Sequence, residues 1–418
     1  MPKFLINSYH LGLALLGAVL YFFPSRKIKI IGVTGTNGKS TVVYLISKIL
    51  EEAGFSVGLV SSIKFKIKDK EWPNTLKMTM PGRFKLQKFL RQALDQGCQY
   101  VVIEVTSEGI LQSRHKFIDF DVVVFTNLTP EHIETHGSFE KYREAKGQLF
   151  KSLRGSKKSK TTAIINLDDP NADYFLKFEA DRKIGYGLNS EPTDKVSNFL
   201  KAIKTETLED GLRFTLADTN FNLKLRGIFN IYNSLSAIAS ALSQGIDLKT
   251  CKKALEKIEV VSGRMEEVIS SPFKVFVDYA HTPDALSKAY SALPKDSLKI
   301  CVLGSCGGGR DKWKRPKLGE IASQFCSKII LTNEDPYDDN PDQIIKEVAS
   351  GIQNHSVDLK EILDRREAIK QALALAKKGD TVIITGKGSE PWMCVAGGKK
   401  IPWDDREIVR EELKKMSL

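Results

Sequence analysis

Thr34-Gly35-Thr36-Asn37-Gly38-Lys39-Ser40-Thr41 lies between an apolar run, Ile28 to Val33, and a helix-compatible run, Val42 to Ala53. Strand, glycine loop and helix in that order set backbone N–H groups and a helix N-terminus around one anionic point, which suits the phosphates of a nucleotide. In such a loop Lys39 reaches the outer phosphates and the Ser40 hydroxyl ligates magnesium. The usual pattern has a glycine five residues before Gly38; that position is Val33, with Gly32 one place too early, so the loop is a variant.

Outward from this loop, 418 residues suffice for a large core and two or three domains. With 42% hydrophobic and 27% charged residues the chain reads as soluble and globular. The net charge of +12 and pI near 9.2 suit anionic partners, but the lysines are dispersed. Lys157, Lys158 and Lys160 cluster without the interleaved aromatics of a nucleic-acid motif, so no nucleic-acid partner is expected. Cys98, Cys251, Cys301, Cys306, Cys326 and Cys394 form no C-x-x-C pair, which argues for reduced thiols in the cytosol and against a zinc ribbon.

Leu11 to Phe23 is almost wholly apolar and is closed by Pro24 and the basic group Arg26-Lys27. It is short of the ~20 residues of a membrane span. A helix packed on the protein is placed ahead of a membrane-associated one, and a cleaved signal peptide is not expected. In either case Arg26, Lys27 and Lys29 keep the rest of the chain cytoplasmic, at most at the inner face of the membrane.

From Lys27 to about Ile258 strands and helices alternate. Ser56–Ser61, Tyr100–Val105, Val122–Thr126 and Thr162–Asn166 are strands, the β-branched runs reading as buried parallel ones. Phe84–Gln96, Phe139–Leu149 and Ile231–Leu242 are helical, and Ile184–Phe229 reads as an appended antiparallel patch. A second α/β run starts near Val261, with strands at Val275–Asp278, Ile300–Leu303, Ile329–Leu331 and Val382–Thr385. Its helices are Asp284–Leu293, Arg315–Phe325, Gln343–Ser350 and Arg366–Ala376. The expected fold class is α/β: a P-loop ATPase-type central domain, mostly parallel with a small antiparallel patch, then a Rossmann-like C-terminal domain. The divisions are residues 1–26, an apolar helix, then 27–260 and 261–418.

Glu104 follows the strand Tyr100–Ile103, where its carboxylate emerges at the carboxyl edge of the sheet beside the loop and can hold magnesium. The next strand ends in Thr126-Asn127-Leu128-Thr129-Pro130-Glu131-His132, again placing polar groups at that edge.

These residues carry a resemblance. Thr34–Thr41, Glu104–Ser107, Phe125–Gly137, Tyr142–Lys146, Gly227–Asn233, Ser262–Glu266 and Asp278–Asp284 follow one another as in the Mur ligases, ATP-dependent amide ligases of peptidoglycan precursor synthesis. Gly307–Lys312, Asp364–Ile369 and Gly386–Glu390 look most like the branch that adds the third peptide residue, the UDP-N-acetylmuramoyl-tripeptide synthetases. The resemblance runs from about Lys27 to the C-terminus.

It implies ATP at Gly35, Thr36, Asn37, Gly38, Lys39, Ser40 and Thr41, with Asn230, Arg264 and Asp278 contributing. It implies two magnesium ions, one shared by Ser40 and Glu104 and a second held with His132, and a Lys146 carbamylated by carbon dioxide. A carbamate supplies an anionic oxygen where a bare ammonium repels the metal. Thr79, Thr106, Gln112 and Arg114 fall where the family grips the muramoyl-dipeptide acceptor; Arg310, Asp335, Gly386 and Glu390 fall where it holds the incoming amino acid. The acceptor carboxylate attacks the γ-phosphate, and the amine then displaces phosphate from the acyl phosphate.

Two departures bear on substrate. The relatives carry a uridine-nucleotide-binding domain before the phosphate loop, and here 26 residues precede the alternating pattern, so an acceptor lacking uridine diphosphate, or a lipid-linked one met through Leu11–Phe23, stands as a second reading. Where diaminopimelate-adding members have Asp-Asn-Pro-Arg, this chain has Glu334-Asp335-Pro336-Tyr337, and a tyrosine cannot replace a bidentate guanidinium. Asp335 and Glu390 look suited to a side-chain ammonium, which sets lysine beside diaminopimelate; Ser389 stands where the family has histidine. Folylpolyglutamate enzymes, which have glycine at the position of Ser40, and non-catalytic nucleotide binders are the remaining readings. The presence of Lys39, Glu104, His132 and Lys146 counts against the latter.

Overall fold

In the computed structural model, which describes residues 3–76, 78–354 and 356–416, the phosphate-loop strand lies inside a sheet covered on both faces. This strand, β1 (Lys29–Thr34), buries Ile30, Ile31 and Val33 to 1% exposure or less, as a continuous apolar run in a parallel sheet should. The chain reaches it from α1 (Lys3–Leu20) and leaves it through α2 (Lys39–Glu52), β2 (Val57–Val60), the hairpin β3 (Lys64–Ile67) and β4 (Lys70–Pro73), and α3 (Arg83–Asp95). There follow β5 (Tyr100–Glu104), α4 (Ser107–Leu111), β6 (Val122–Phe125), α5 (Ile133–His136), α6 (Phe139–Lys151), β7 (Thr162–Asn166), α7 (Ala172–Leu176), β8 (Arg182–Gly187) and β9 (Asn198–Lys201).

The described strands of this sheet run in the order β4-β3-β2-β5-β1-β6-β7-β8-β9, all parallel except the β3–β4 hairpin. The connection out of β1 runs one way along the sheet, to β2, and that out of its neighbour β5 runs the other way, to β6; the crevice beyond the carboxyl ends of these two strands is where such sheets bind ligands. The register pairs Val33 with Glu104 and Thr34 with Phe125, bringing the ends of three strands to one edge.

The antiparallel patch is smaller than the sequence suggests. Residues 182–201 extend the parallel sheet as β8 and β9, because Ile184 and Tyr186 are buried and the Tyr186 hydroxyl donates to the Phe125 carbonyl at 3.0 Å. Only β10 (Ile203–Leu208), β11 (Gly211–Leu216) and β12 (Thr219–Leu223) form the separate meander, held by Phe214 stacked on Phe221 at 4.8 Å. Then α8 (Phe229–Ser243) packs against α2; its buried Ser234, Ser236, Ala237 and Ser240 permit a close approach. α9 (Leu248–Glu256) follows, capped by Asp247.

A second sheet has the order β13-β14-β18-β15-β16-β17. Its strands are β13 (Glu266–Ile269), β14 (Lys274–Asp278), β15 (Lys299–Leu303), β16 (Lys328–Leu331), β17 (Asp358–Glu361) and β18 (Thr381–Thr385), antiparallel only at β13. The helices α10 (Pro283–Ser291), α11 (Lys314–Phe325), α12 (Pro341–Ala349) and α13 (Arg365–Leu375) lie between strands. The hairpin β19 (Trp392–Val395) and β20 (Lys399–Pro402) and the helix α14 (Asp405–Lys415) end the described chain.

The chain forms two compact units. The first comprises Met1–Pro130, Gly137–Lys224 and Ile228–Glu259; the second comprises Val260–Leu418 together with Leu225–Gly227 and the excursion Glu131–His136.

Candidate active site

In the first unit the phosphate loop is fixed from several sides. The Thr36 N–H donates to the Asn127 carbonyl at 2.8 Å, the Asn37 N–H to Asn127 Oδ1 at 2.9 Å, and Thr126 Oγ1 to the Asn37 carbonyl at 2.8 Å. A Cβ on Gly35 would fall 2.0 Å from Thr126 Oγ1, and one on Gly38 2.5 Å from Asn233 Oδ1; both glycines have positive φ, so side chains are excluded there. Asn233 in turn donates to Asn230 Oδ1 at 2.8 Å, which brings Asn230 to the loop through its neighbour. Thr41 is buried in the first turn of α2, and Lys39 Nζ donates to the Thr36 carbonyl at 2.7 Å.

Ser40 Oγ donates to Glu104 Oε2 at 2.8 Å, and the same carboxylate oxygen accepts the Ser62 N–H at 2.9 Å. A hydroxyl and a carboxylate meeting at the end of β5 are the hard oxygens magnesium takes, so these residues fit the ion. Among the described residues no three His, Cys, Asp or Glu side chains converge.

Lys146, 1% exposed on α6, donates from Nζ to the Gly35 carbonyl at 2.7 Å. Burial holds its pKa well below the ordinary lysine value, the Lys39 ammonium lowers it further, and Glu104 pulls the other way. Burial favours the neutral amine, whose lone pair is what carbon dioxide requires, so the residue suits carbamylation.

The residues expected on the acceptor side all lie in the first unit. Thr106 caps α4 by accepting the Gly109 N–H at 3.1 Å, and the Thr79 carbonyl faces Asn74 Nδ2 at 3.4 Å. Arg114 donates to the Met80 carbonyl at 2.5 Å and to Gln112 Oε1 at 2.6 Å, while Arg83 Nε donates to the Gln112 carbonyl at 2.7 Å. Burial lowers the Arg114 pKa and the Arg83 charge adds to this, so two guanidiniums stand together with only partial compensation from Glu108. That is a site for an anionic group.

The second unit carries the remaining residues. His132, at φ 57°, sits on the Glu131–His136 excursion. Asp311 accepts the N–H groups of Ile133 at 3.1 Å and Glu134 at 3.0 Å, and Lys314 pairs with Glu131 at 2.7 Å with both side chains at most 4% exposed. Asp278, at the end of β14, accepts the Met265 N–H at 2.6 Å and the Ala280 N–H at 2.7 Å; Arg264 lies over the Tyr279 ring at 4.3 Å.

The amino-acid residues form a charged cluster with one surprise. Lys387 Nζ donates to Asp335 Oδ2 at 2.7 Å and to Glu390 Oε2 at 2.6 Å, so the two carboxylates that the sequence offers to a substrate ammonium already share an internal one. Asp335 also accepts the Cys394 N–H at 2.7 Å, and Glu390 the Tyr279 hydroxyl at 3.1 Å. The Gly386 N–H donates to the Asp278 carbonyl at 3.1 Å, over the buried Glu334, whose pKa burial raises. The Tyr337 ring lies against Gly308, where a Cβ would come within 2.5 Å of it, and Arg310 acts electrostatically on Tyr337 and Cys306.

Residues 33–241 match the family model described as Mur ligase middle domain, and residues 263–388 match Mur ligase, glutamate ligase domain. The chain belongs to the Mur ligase family. The chain is 35% identical to a UDP-N-acetylmuramoyl-L-alanyl-D-glutamate--2,6-diaminopimelate ligase of Geobacillus thermodenitrificans, over 99% of this chain and 84% of that protein. A UDP-N-acetylmuramyl-tripeptide synthetase of Roseiflexus sp. is 36% identical over the same shares. Among solved structures, a UDP-N-acetylmuramoyl-L-alanyl-D-glutamate--2,6-diaminopimelate ligase superposes with a TM-score of 0.63 at 30% identity, covering 94% of this chain and 79% of that one. As a Mur ligase the chain is an ATP-dependent, amide-forming peptide ligase of peptidoglycan synthesis.

Several residues that shape this Mur ligase site are not singled out by the sequence. Ser62 and Asn233 act on the loop from a turn and from a helix distant in the chain, and Arg83 is the first residue of α3 after Pro81-Gly82. Only Arg83 carries a local signal, a guanidinium at a helix N-terminus.

Proposed function

We propose that this ligase joins L-lysine to the D-glutamate carboxyl of a UDP-N-acetylmuramoyl-L-alanyl-D-glutamate acceptor in the cytoplasm. Lys146 carries the reading: a lysine buried against the phosphate loop is costly as an ammonium and useful as a carbamate. Lys39 would neutralise charge on the transferring phosphoryl group, and Ser40 and Glu104 would hold one magnesium. Lys146 as a carbamate, with His132, would hold a second ion; the metals supply charge neutralisation of the phosphates. Asn230, Arg264 and Asp278 complete ATP binding in this reading. Thr79, Thr106, Gln112 and Arg114 orient the acceptor so that its carboxylate attacks the γ-phosphate, and the incoming amine then releases phosphate from the acyl phosphate.

For the amino acid, Arg310 takes the α-carboxylate. Asp335 and Glu390 share the one Lys387 ammonium, which favours a distal ammonium on the substrate, and Tyr337 offers no guanidinium for a distal carboxylate. Diaminopimelate is the second reading, favoured by the names of the relatives. A lipid-linked acceptor is kept as an alternative substrate.

The test is phosphate release from ATP by the full chain with that soluble acceptor, given lysine, diaminopimelate or ornithine separately. Lysine should stimulate most. Preference for diaminopimelate would overturn the pocket reading, and silence with all three would overturn the acceptor.

A further inference from the structure

Half of α1 is bare. Ala14, Gly17 and Ala18 pack on α3, where a Cβ on Gly17 would touch Phe84 Cα at 3.5 Å. The opposite half presents Leu11, Leu15, Leu16, Val19 and Leu20, each 44–56% exposed, at spacings that form one continuous apolar stripe. Apolar surface of this continuity is uncommon on a soluble monomer and marks an interaction site.

The exit from α1 extends the stripe. Phe22 and Phe23 have φ of 58° and 47°, a left-handed pair without glycine, which costs conformational energy. One result is that Phe22 stands 76% exposed while the Phe23 ring lies under the Arg26 guanidinium at 4.0 Å. An aromatic held outward at the end of an apolar stripe, next to exposed Lys27 and Lys29 and to Arg26, which pairs with Asp119 at 3.4 Å, has the chemistry of a membrane–water interface.

Charge identifies the occupant. No Asp or Glu occurs in the first 50 residues, nor between Glu71 and Asp95, the stretch that holds α3 with its exposed Lys85 and Lys88. A two-fold contact through α1 would set this cationic layer against itself, whereas anionic headgroups complement it. No described helix is long and apolar enough to cross a membrane.

We propose that the outer face of α1 seats this chain on an anionic lipid bilayer as a helix lying in the interface. The helix is held between the protein on its small-residue face and the acyl boundary on its leucine face. This goes beyond the ligase reading and holds whichever amino acid is added.

The test is co-sedimentation of the full chain with vesicles of phosphatidylcholine alone and of phosphatidylcholine mixed with phosphatidylglycerol, with light scattering on the free protein. Sedimentation with the mixed vesicles, weakened by salt, is expected. Lys27→Ala and Lys85→Ala should each weaken it about fivefold, the effect of one basic residue at an anionic surface. Leu16→Glu with Phe22→Ser should abolish it while the melting temperature stays unchanged, because both side chains are exposed. Retention in the supernatant with both vesicles, or sedimentation indifferent to lipid charge and to these variants, would overturn the proposal. So would a dimer that Leu16→Glu dissociates, which would make the stripe a contact between copies.

Discussion

Lys146 and His115 are both buried bases whose surroundings favour the neutral form. For Lys146 this is a stability cost, because the unfolded chain holds the proton more readily than the folded one. In buffer depleted of carbon dioxide, Lys146→Met should therefore raise stability by about 1 kcal/mol while removing nearly all turnover and leaving ATP binding in place. Thermal melting, phosphate release and nucleotide titration check the three parts, and near-normal turnover would contradict the carbamate role. His115 is 1% exposed, neither ring nitrogen has a partner among the described residues, and burial lowers its pKa to about 3. Since the unfolded imidazole protonates near the ordinary value, the fold loses stability as pH falls from about 6.5 towards 3, by up to roughly 1.4 kcal/mol per pH unit. His115→Leu should remove this loss, so its advantage over the native chain in urea unfolding should be larger at pH 4 than at pH 7.

At the scale of elements, the Glu131–His136 excursion depends on a buried ion pair and on Asp311. Burial raises the Glu131 pKa and Lys314 opposes it, so removal of the lysine leaves a buried carboxylate unanswered. Lys314→Met should cost about 3 kcal/mol, and Glu131→Gln added to it should restore part of the loss. A double-mutant cycle by denaturant unfolding measures the difference. Elements with apolar β-branched cores, such as β1, β6, β15 and β18, were legible in the sequence because burial on both faces leaves no other reading. The hairpins β3–β4 and β19–β20, the edge strands β13 and β17 and the helices α9 and α14 were not, because charged or polar side chains mask their periodicity. Lys64 and Lys66, for example, face Glu71 across a hairpin whose sequence alone reads as loop. The excursion was equally hidden: Asn127 and His132 are five residues apart in the chain, yet one fastens the phosphate loop and the other goes with the second unit.

For the whole molecule, the phosphate loop and the meeting of Ser40 with Glu104 beside it were legible in the sequence, since backbone geometry at a glycine loop constrains side-chain identity. The Lys387 bridge was not, because sequence shows two carboxylates and an ammonium without their pairing. Nucleotide binding should stabilise the protein by about 2.7 kcal/mol at a ligand concentration roughly a hundredfold above Kd. Glu104→Gln should remove most of the magnesium-dependent part of that gain, read as the difference in melting with and without a chelator.

Order of synthesis gives the excursion a further meaning. Ile133 and Asp311 are 178 residues apart in the chain, and Glu131 and Lys314 are 183 apart. At about 5–20 residues per second, a ribosome takes roughly 10–35 s to make the second partner after the first. During that interval the nascent first unit can close its sheet while Glu131 still lacks Lys314 and the Ile133 and Glu134 N–H groups still lack Asp311. The Glu131–His136 stretch thus settles only once the later half has emerged, and a fragment begun at residue 260 would carry Asp311 and Lys314 with these partners missing.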